Sequence, residues 1–278
     1  MTVTLRDLFA WAAAALAAIA SLAGLLLPDL YRDAPFWLQQ ARGIDLATLL
    51  LATPILAAGL WASSRGSRIG RLAVVGGLLY LIYNYAIYTS SVAMNPLAVV
   101  YIAVLGLAAW GFVLGLISTD LAATAAPVLA RLPRRTSAWF LVGVAALFGL
   151  LWLGQIAAFT FTGQLPADLE RAELPANPVY ALDLALFLPL AAVGGVGLLR
   201  RRPGAAAYAL PMLIWVFLTS AGIVGGFLFA ALAGDEVPIA VALIVGGVGV
   251  LAAVLATLPL LAKSRSRDRD QTTMSGTP

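Results

Sequence analysis

"VPIAVALIVGGVGVLAAVLATLPLL", residues 237–261, decides between two folds. Its middle, "GVGVLA" at 247–252, fits the Gly-x-Gly-x-x-Ala turn of a dinucleotide-binding domain. That turn needs a strand before it and a helix after it. Here no charged residue and no turn cluster divides the stretch. It is one unbroken apolar run, long enough as a helix to cross a hydrocarbon core of about 30 Å. The glycines then serve helix packing rather than phosphate binding.

Outward from this run, similar stretches recur along the 278 residues. Eight helices are expected, at 8–27, 44–62, 72–92, 97–117, 138–162, 178–199, 206–232 and 237–261. The composition agrees: 62% of residues are hydrophobic and 11% charged, against about 25% charged in soluble domains. The fold class is therefore all-α, a polytopic transmembrane bundle. A membrane β-barrel would show short alternating segments instead. Residues 1–23 have the outline of a signal peptide. The run continues through Leu27, so a retained helix is expected. Residues 1–262 form a single transmembrane domain, and 263–278 a disordered, basic cytoplasmic tail. Between the fourth and fifth helices, "LAATAAPVLARLPRR" suits a segment lying on the inner interface.

Basic residues orient the bundle. Arg6, the clusters at Arg65–Arg71, Arg131–Arg135 and Arg200–Arg202, and the tail hold 14 of the 17 Lys and Arg. They fall on alternate connections, which by the positive-inside rule are cytoplasmic. Both termini are expected in the cytoplasm of a bacterial plasma membrane. The partners implied are membrane lipids, with anionic lipid at the cytoplasmic face, and no nucleic acid. Without Cys or His, the chain lacks disulfides, thiolate chemistry and histidine-ligated metal. No cofactor or metal is expected, and no Walker loop is present.

A repeat links two loops. "LPDLYRDAPFWLQQARGIDLATLLLATP" follows the first helix and "LPADLERAELPANPVYALDLALFLP" the fifth. Pro28 precedes Asp45 by the same 17 residues that separate Pro166 from Asp183. Two four-helix halves, 1–117 and 138–262, are expected in one orientation, as in parallel-repeat transporters. Asp45 and Asp183 would then be equivalent.

The two aspartates differ in their local reading. Asp45 in "RGIDLATLL" suits a helix N-cap. Asp183 does not, because Asn177 and Pro178 already begin its helix. A carboxylate six residues in must face a partner or a cavity; Arg171, Arg32 and Arg42 are the candidate partners. On the third helix, Tyr80, Asn84 and Tyr88 share a face at i, i+4 and i+8, with Tyr83 beside them. Such residues commonly hydrogen-bond between helices. They could equally line a polar cavity open to the outside, with Asp45 and Asp183 completing its walls. The candidate ligand-binding set is thus Asp183, Asp45, Asn84, Tyr80 and Tyr88.

"YNYAIY…MNP" and "NPVYALDLALFLP" resemble segments of uncharacterised eight-helix bacterial multi-pass membrane proteins. The resemblance implies eight helices and no activity. Three functions remain open: binding or translocation of a small molecule, lipid or cation through an outward-facing polar cavity; an intramembrane enzyme acting on a lipid; and a structural subunit of a membrane complex. An intramembrane aspartyl protease is disfavoured, since neither "GIDL" nor "YALD" carries Gly-x-Gly-Asp.

Overall fold

The computed structural model describes the backbone of residues 4–274 and side-chain surroundings through residue 261. No strand occurs among the described residues. Ten helices follow one another: α1 (Leu5–Leu26), α2 (Pro35–Ser64), α3 (Arg68–Ser91), α4 (Ala98–Ser118), α5 (Leu121–Leu129), α6 (Arg134–Thr162), α7 (Ala167–Ala172), α8 (Pro178–Leu199), α9 (Pro203–Leu232) and α10 (Ile239–Met274). All but α5 and α7 are long and apolar enough to cross a membrane, α10 through its part Ile239–Leu261. The chain is an integral membrane protein, with eight such helices among the described residues. The tail expected over 263–278 lies, in its side chains and last residues, outside the described residues.

One boundary differs from expectation. The second membrane helix begins at Pro35 rather than at 44. Asp45 is therefore not an N-cap but lies well inside α2, 1% exposed. The glycine before it misleads. Gly43 does not break the helix; it lets α2 touch the α9 backbone. A Cβ on Gly43 would stand 1.9 Å from the Gly226 nitrogen. Gly225 and Gly226 are thus contact glycines, as the packing argument requires.

α2 and α8 share an unusual layout. Each opens into one π turn of five residues, Thr48–Ala52 and Asp183–Phe187. The turn is closed by N–H bonds five residues back, Thr53 to Thr48 and Leu188 to Asp183. A proline follows at once, Pro54 or Pro189. Proline has no N–H to donate and crowds the carbonyl four residues earlier; a widened turn relieves both. Twelve residues of α-helix then run to an arginine cap, Arg65 or Arg200.

The shift that carries Thr48 onto Asp183 also carries Pro54 onto Pro189, Gly59 onto Gly194 and Arg65 onto Arg200. Contacts follow the same shift. Gly59 sits against Gly70, Ala73 and Val74 of α3, and Gly194 against Tyr208 and Ala209 of α9. In this register Asp183 corresponds to Thr48. Asp45 lies three residues earlier, on nearly the same helix face.

The remaining helices are arranged differently. α1 lies along α4. Its face of Ala10, Ala13, Ala17, Ala20 and Gly24 is buried and small enough for close approach. α6 packs on α8, and α10 on α9, but α6 and α10 do not pack along one another. α2 and α3 both lie against α9, joining the two sets.

Candidate functional site

The Asp45 carboxylate sits among phenols. Tyr31, in the loop after α1, donates to its Oδ2 at 2.5 Å. The Tyr88 hydroxyl lies 3.1 Å from Oδ1 and 2.8 Å from the Ala41 carbonyl. Gly24 makes the room: a Cβ there would fall 1.9 Å from Oδ2. Tyr31, Tyr85, Tyr88 and Tyr101 pack ring to ring around the group, with centroids 5.1–6.3 Å apart. Burial first, and the Asp45 charge second, hold the Tyr31 phenol far above its ordinary pKa. It therefore remains a donor. Tyr80 extends the network, its hydroxyl 3.0 Å from that of Thr48. Asn84 donates to the Tyr80 carbonyl at 3.0 Å. Both oxygens of the Asp45 carboxylate are thus taken by phenol hydroxyls, and the carboxylate is closed off.

Asp183 is held more sparsely. Asn177 caps α8 by accepting from the Val179 N–H at 2.9 Å, and Pro178 takes the first helical position. Asp183 then falls on the first residue of the π turn, 5% exposed. Trp152 of α6 donates its indole N–H to Oδ2 at 2.8 Å. The Tyr83 hydroxyl approaches the carboxylate, though not to hydrogen-bond distance of the unpartnered Oδ1. The expected arginine partner is absent. Arg171 instead lies over the Phe36 ring, 4.6 Å from its centroid. Among the described residues Arg6–Asp7 is the one ion pair.

A cavity of about 740 Å³ lies mainly in the second half of the chain. α6 supplies Phe148, Trp152 and Gln155; α9 supplies Ile223 and Phe227; α10 supplies Val241 and Val245. The start of α2 adds Phe36, Trp37 and Gln40. Its polar groups gather at the end formed by α7 and the loops beside it, at Gln155, Gln164, Asp168 and Asn177. These groups are braced. The Tyr180 hydroxyl donates to Gln155 and lies 3.1 Å from Asp168 Oδ2. Asn177 donates to that same oxygen at 2.9 Å. Trp152 stacks on Tyr180 with centroids 4.9 Å apart.

None of the five residues singled out from sequence lines this cleft. Asn84 and Tyr88 line a smaller cavity of about 90 Å³, which shares Trp37, Gln40, Val179 and Ile223 with the cleft as a common wall. Asp45, Tyr80 and Asp183 line neither. Asp45 and Asp183 are held by separate partners, on α1–α3 and on α6 respectively. Sequence reasoning passed over Trp37, Trp152, Asp168 and Tyr180. One available signal was the stripe Phe148, Trp152, Gln155, which shares a helix face by its spacing.

The fold and the cleft together define the class: a polytopic helical membrane protein with an amphipathic cavity between its helices. No family model, curated protein or solved structure matches the chain.

Proposed function

We propose that this is a multi-pass protein of the bacterial cytoplasmic membrane that binds or passes an amphipathic small molecule or lipid in the cleft between α6, α9 and α10. The cleft itself carries the reading. Its volume falls within the roughly 300–1,000 Å³ of ligand pockets, and apolar walls with a few gathered polar groups are their usual lining. Gln155, Asp168 and Asn177 fix the polar part of the ligand, and Trp37, Trp152 and Phe227 the apolar part. Asp183 supports Trp152 from behind.

In this reading both termini are cytoplasmic and the polar end of the cleft faces outward. The distribution of 14 of 17 basic residues supports this. The chain is also a 4+4 duplication. Support comes from the matched π turns, prolines and glycine contacts of α2 and α8, in a register that pairs Asp183 with Thr48 and not, as the loop spacing suggested, with Asp45. One copy has kept a closed polar cluster and the other has opened a cleft. For a metal-assisted lipid enzyme, several acidic groups would have to converge; among the described residues no group of three does so.

Native mass spectrometry from nanodiscs tests the proposal, wild type beside Ile223→Trp, with lipid extraction of both. A discrete bound species in wild type, missing from the folded variant, is expected. Equal, nonspecific profiles would refute a cleft site.

A further inference from the structure

We infer that the occupant of the cleft is a membrane lipid with an uncharged, hydroxyl-rich head, reaching it sideways between α6 and α10. This rests on the cleft being a binding site. The first and fourth membrane helices of each half mark the way in. In the first half α1 and α4 lie together, whereas α6 and α10 stand apart with the cleft between them. Both lips are apolar and open: Leu151 of α6 is 44% exposed and Val241 of α10 is 47%. In a bilayer such a gap faces acyl chains, so an apolar tail can enter without crossing water.

The polar end selects the head. Gln155 accepts from Tyr180 through Oε1, which leaves its amide N–H groups free to donate. Asp168 accepts from Asn177 and keeps lone pairs for a further donor. Gln40 and Gln164 add two more carboxamides. Amides and one carboxylate, offered together, match hydroxyl groups, which both donate and accept. A phosphate only accepts. It would meet the Asp168 charge, and no lysine or arginine lines the cleft wall; the nearby Arg171 guanidinium lies over the Phe36 ring. The rings of Trp37 and Trp152 give a sugar or glycerol face something to lie against.

The test loads the full protein into nanodiscs containing equal amounts of a monogalactosyl diacylglycerol and a phosphatidic acid. Retained lipid is read by native mass spectrometry, and methyl galactoside is titrated separately by tryptophan fluorescence. Wild type should retain the glycolipid over the phosphatidic acid by about tenfold, roughly one well-made polar contact. Gln155→Leu should lose the preference. Val241→Trp should lose the lipid while Val241→Leu keeps it, with thermal unfolding confirming that each variant is folded. Equal or better retention of phosphatidic acid overturns the assigned head and leaves the cleft as a site. Binding of methyl galactoside without lipid retention overturns the sideways route alone. Binding of neither removes the cleft reading as well. The wild-type comparison decides the head chemistry even where a variant does not fold.

Discussion

The closed cluster around Asp45 and the open cleft near Asp183 occupy comparable places in two similar sets of helices. They differ in side-chain size. The shift that aligns the π turns carries Tyr88 onto Ile223, Ala13 onto Phe148 and Ala17 onto Trp152. In the first half alanines let α1 come close, and phenols fill what space remains. In the second half bulky rings on α6 face Ile223 and Phe227 of α9 and two valines of α10 across about 740 Å³ of unfilled space. Asp45 has two phenol partners, while Asp183 has one indole and an unpaired oxygen. A buried carboxylate is tolerated when its partners are built in. Around Asp183 fewer such partners are present, and space lies beside them.

The largest effect should come from the seam joining the halves. Gly43→Leu places a side chain where even a Cβ lies 1.9 Å from the Gly226 backbone nitrogen. Backbone cannot rotate aside as a side chain can. The cost should exceed the about 1–3 kcal/mol usual for overpacking, and no folded protein should elute from a sizing column. Gly154→Ala, on an α6 face with nothing near the new methyl, should leave the melting temperature unchanged. A folded Gly43→Leu protein would mean that the seam is not tightly packed.

Exchanging the corresponding residues tests the comparison directly. Tyr88→Ile should destabilise by about 2–4 kcal/mol, through the cavity it leaves and the loss of the partner to Asp45 and Ala41. Ile223→Tyr should cost little and abolish ligand retention, since it adds a phenol to existing space. Chemical unfolding in mild detergent reads the first, and native mass spectrometry the second. Similar destabilisation by both would show that the second half is as tightly filled as the first.

The two aspartates should separate next. Asp45→Ala strands the Tyr31 hydroxyl, at about 1–3 kcal/mol for a buried unsatisfied group, while Tyr88 keeps the Ala41 carbonyl. Asp183→Asn keeps an oxygen for the Trp152 indole, so its cost should stay near the roughly 0.6 kcal/mol of an average intramembrane hydrogen bond. Equal losses of melting temperature would contradict the picture of one closed and one open cluster.

The membrane helices were legible because an apolar run of spanning length has few other uses. The start of α2 was not. Gln39, Gln40 and Arg42 lower its hydropathy, and Gly43 resembles a break when its contact with α9 is out of view. The polar stripe on α3 is buried in the bundle. Its use was not legible, because the partners that close it, Tyr31 and Tyr101, come from a loop and from another helix. The cleft was invisible for a related reason: a cavity is made of residues that fail to touch. Ile223, Val241 and Val245 read as ordinary apolar positions until the separation of α6 from α10 is known. Asp183 drew attention as a charge in a membrane helix, and the structure places it behind the cleft wall rather than on it.

The smallest effect concerns the loop that closes the first half. Asp33 lies outside the membrane helices and accepts from the Ala93 N–H at 2.8 Å, while its other oxygen is buried without a partner. Burial raises its carboxyl above the ordinary value, and the Ala93 bond only partly opposes this. The sign follows from linkage. An acid whose folded pKa is raised favours the fold in its protonated form. That contribution is complete below the unfolded pKa of 3.8 and is lost as pH rises through the folded value. At neutral pH the folded protein therefore carries a deficit, which a neutral isostere removes. Asp33→Asn keeps an acceptor for Ala93, so it should melt slightly higher than wild type at pH 7, with the gain disappearing towards pH 4. A gain independent of pH would assign the effect to packing, and a loss at pH 7 would show that the charge itself holds this loop against α3.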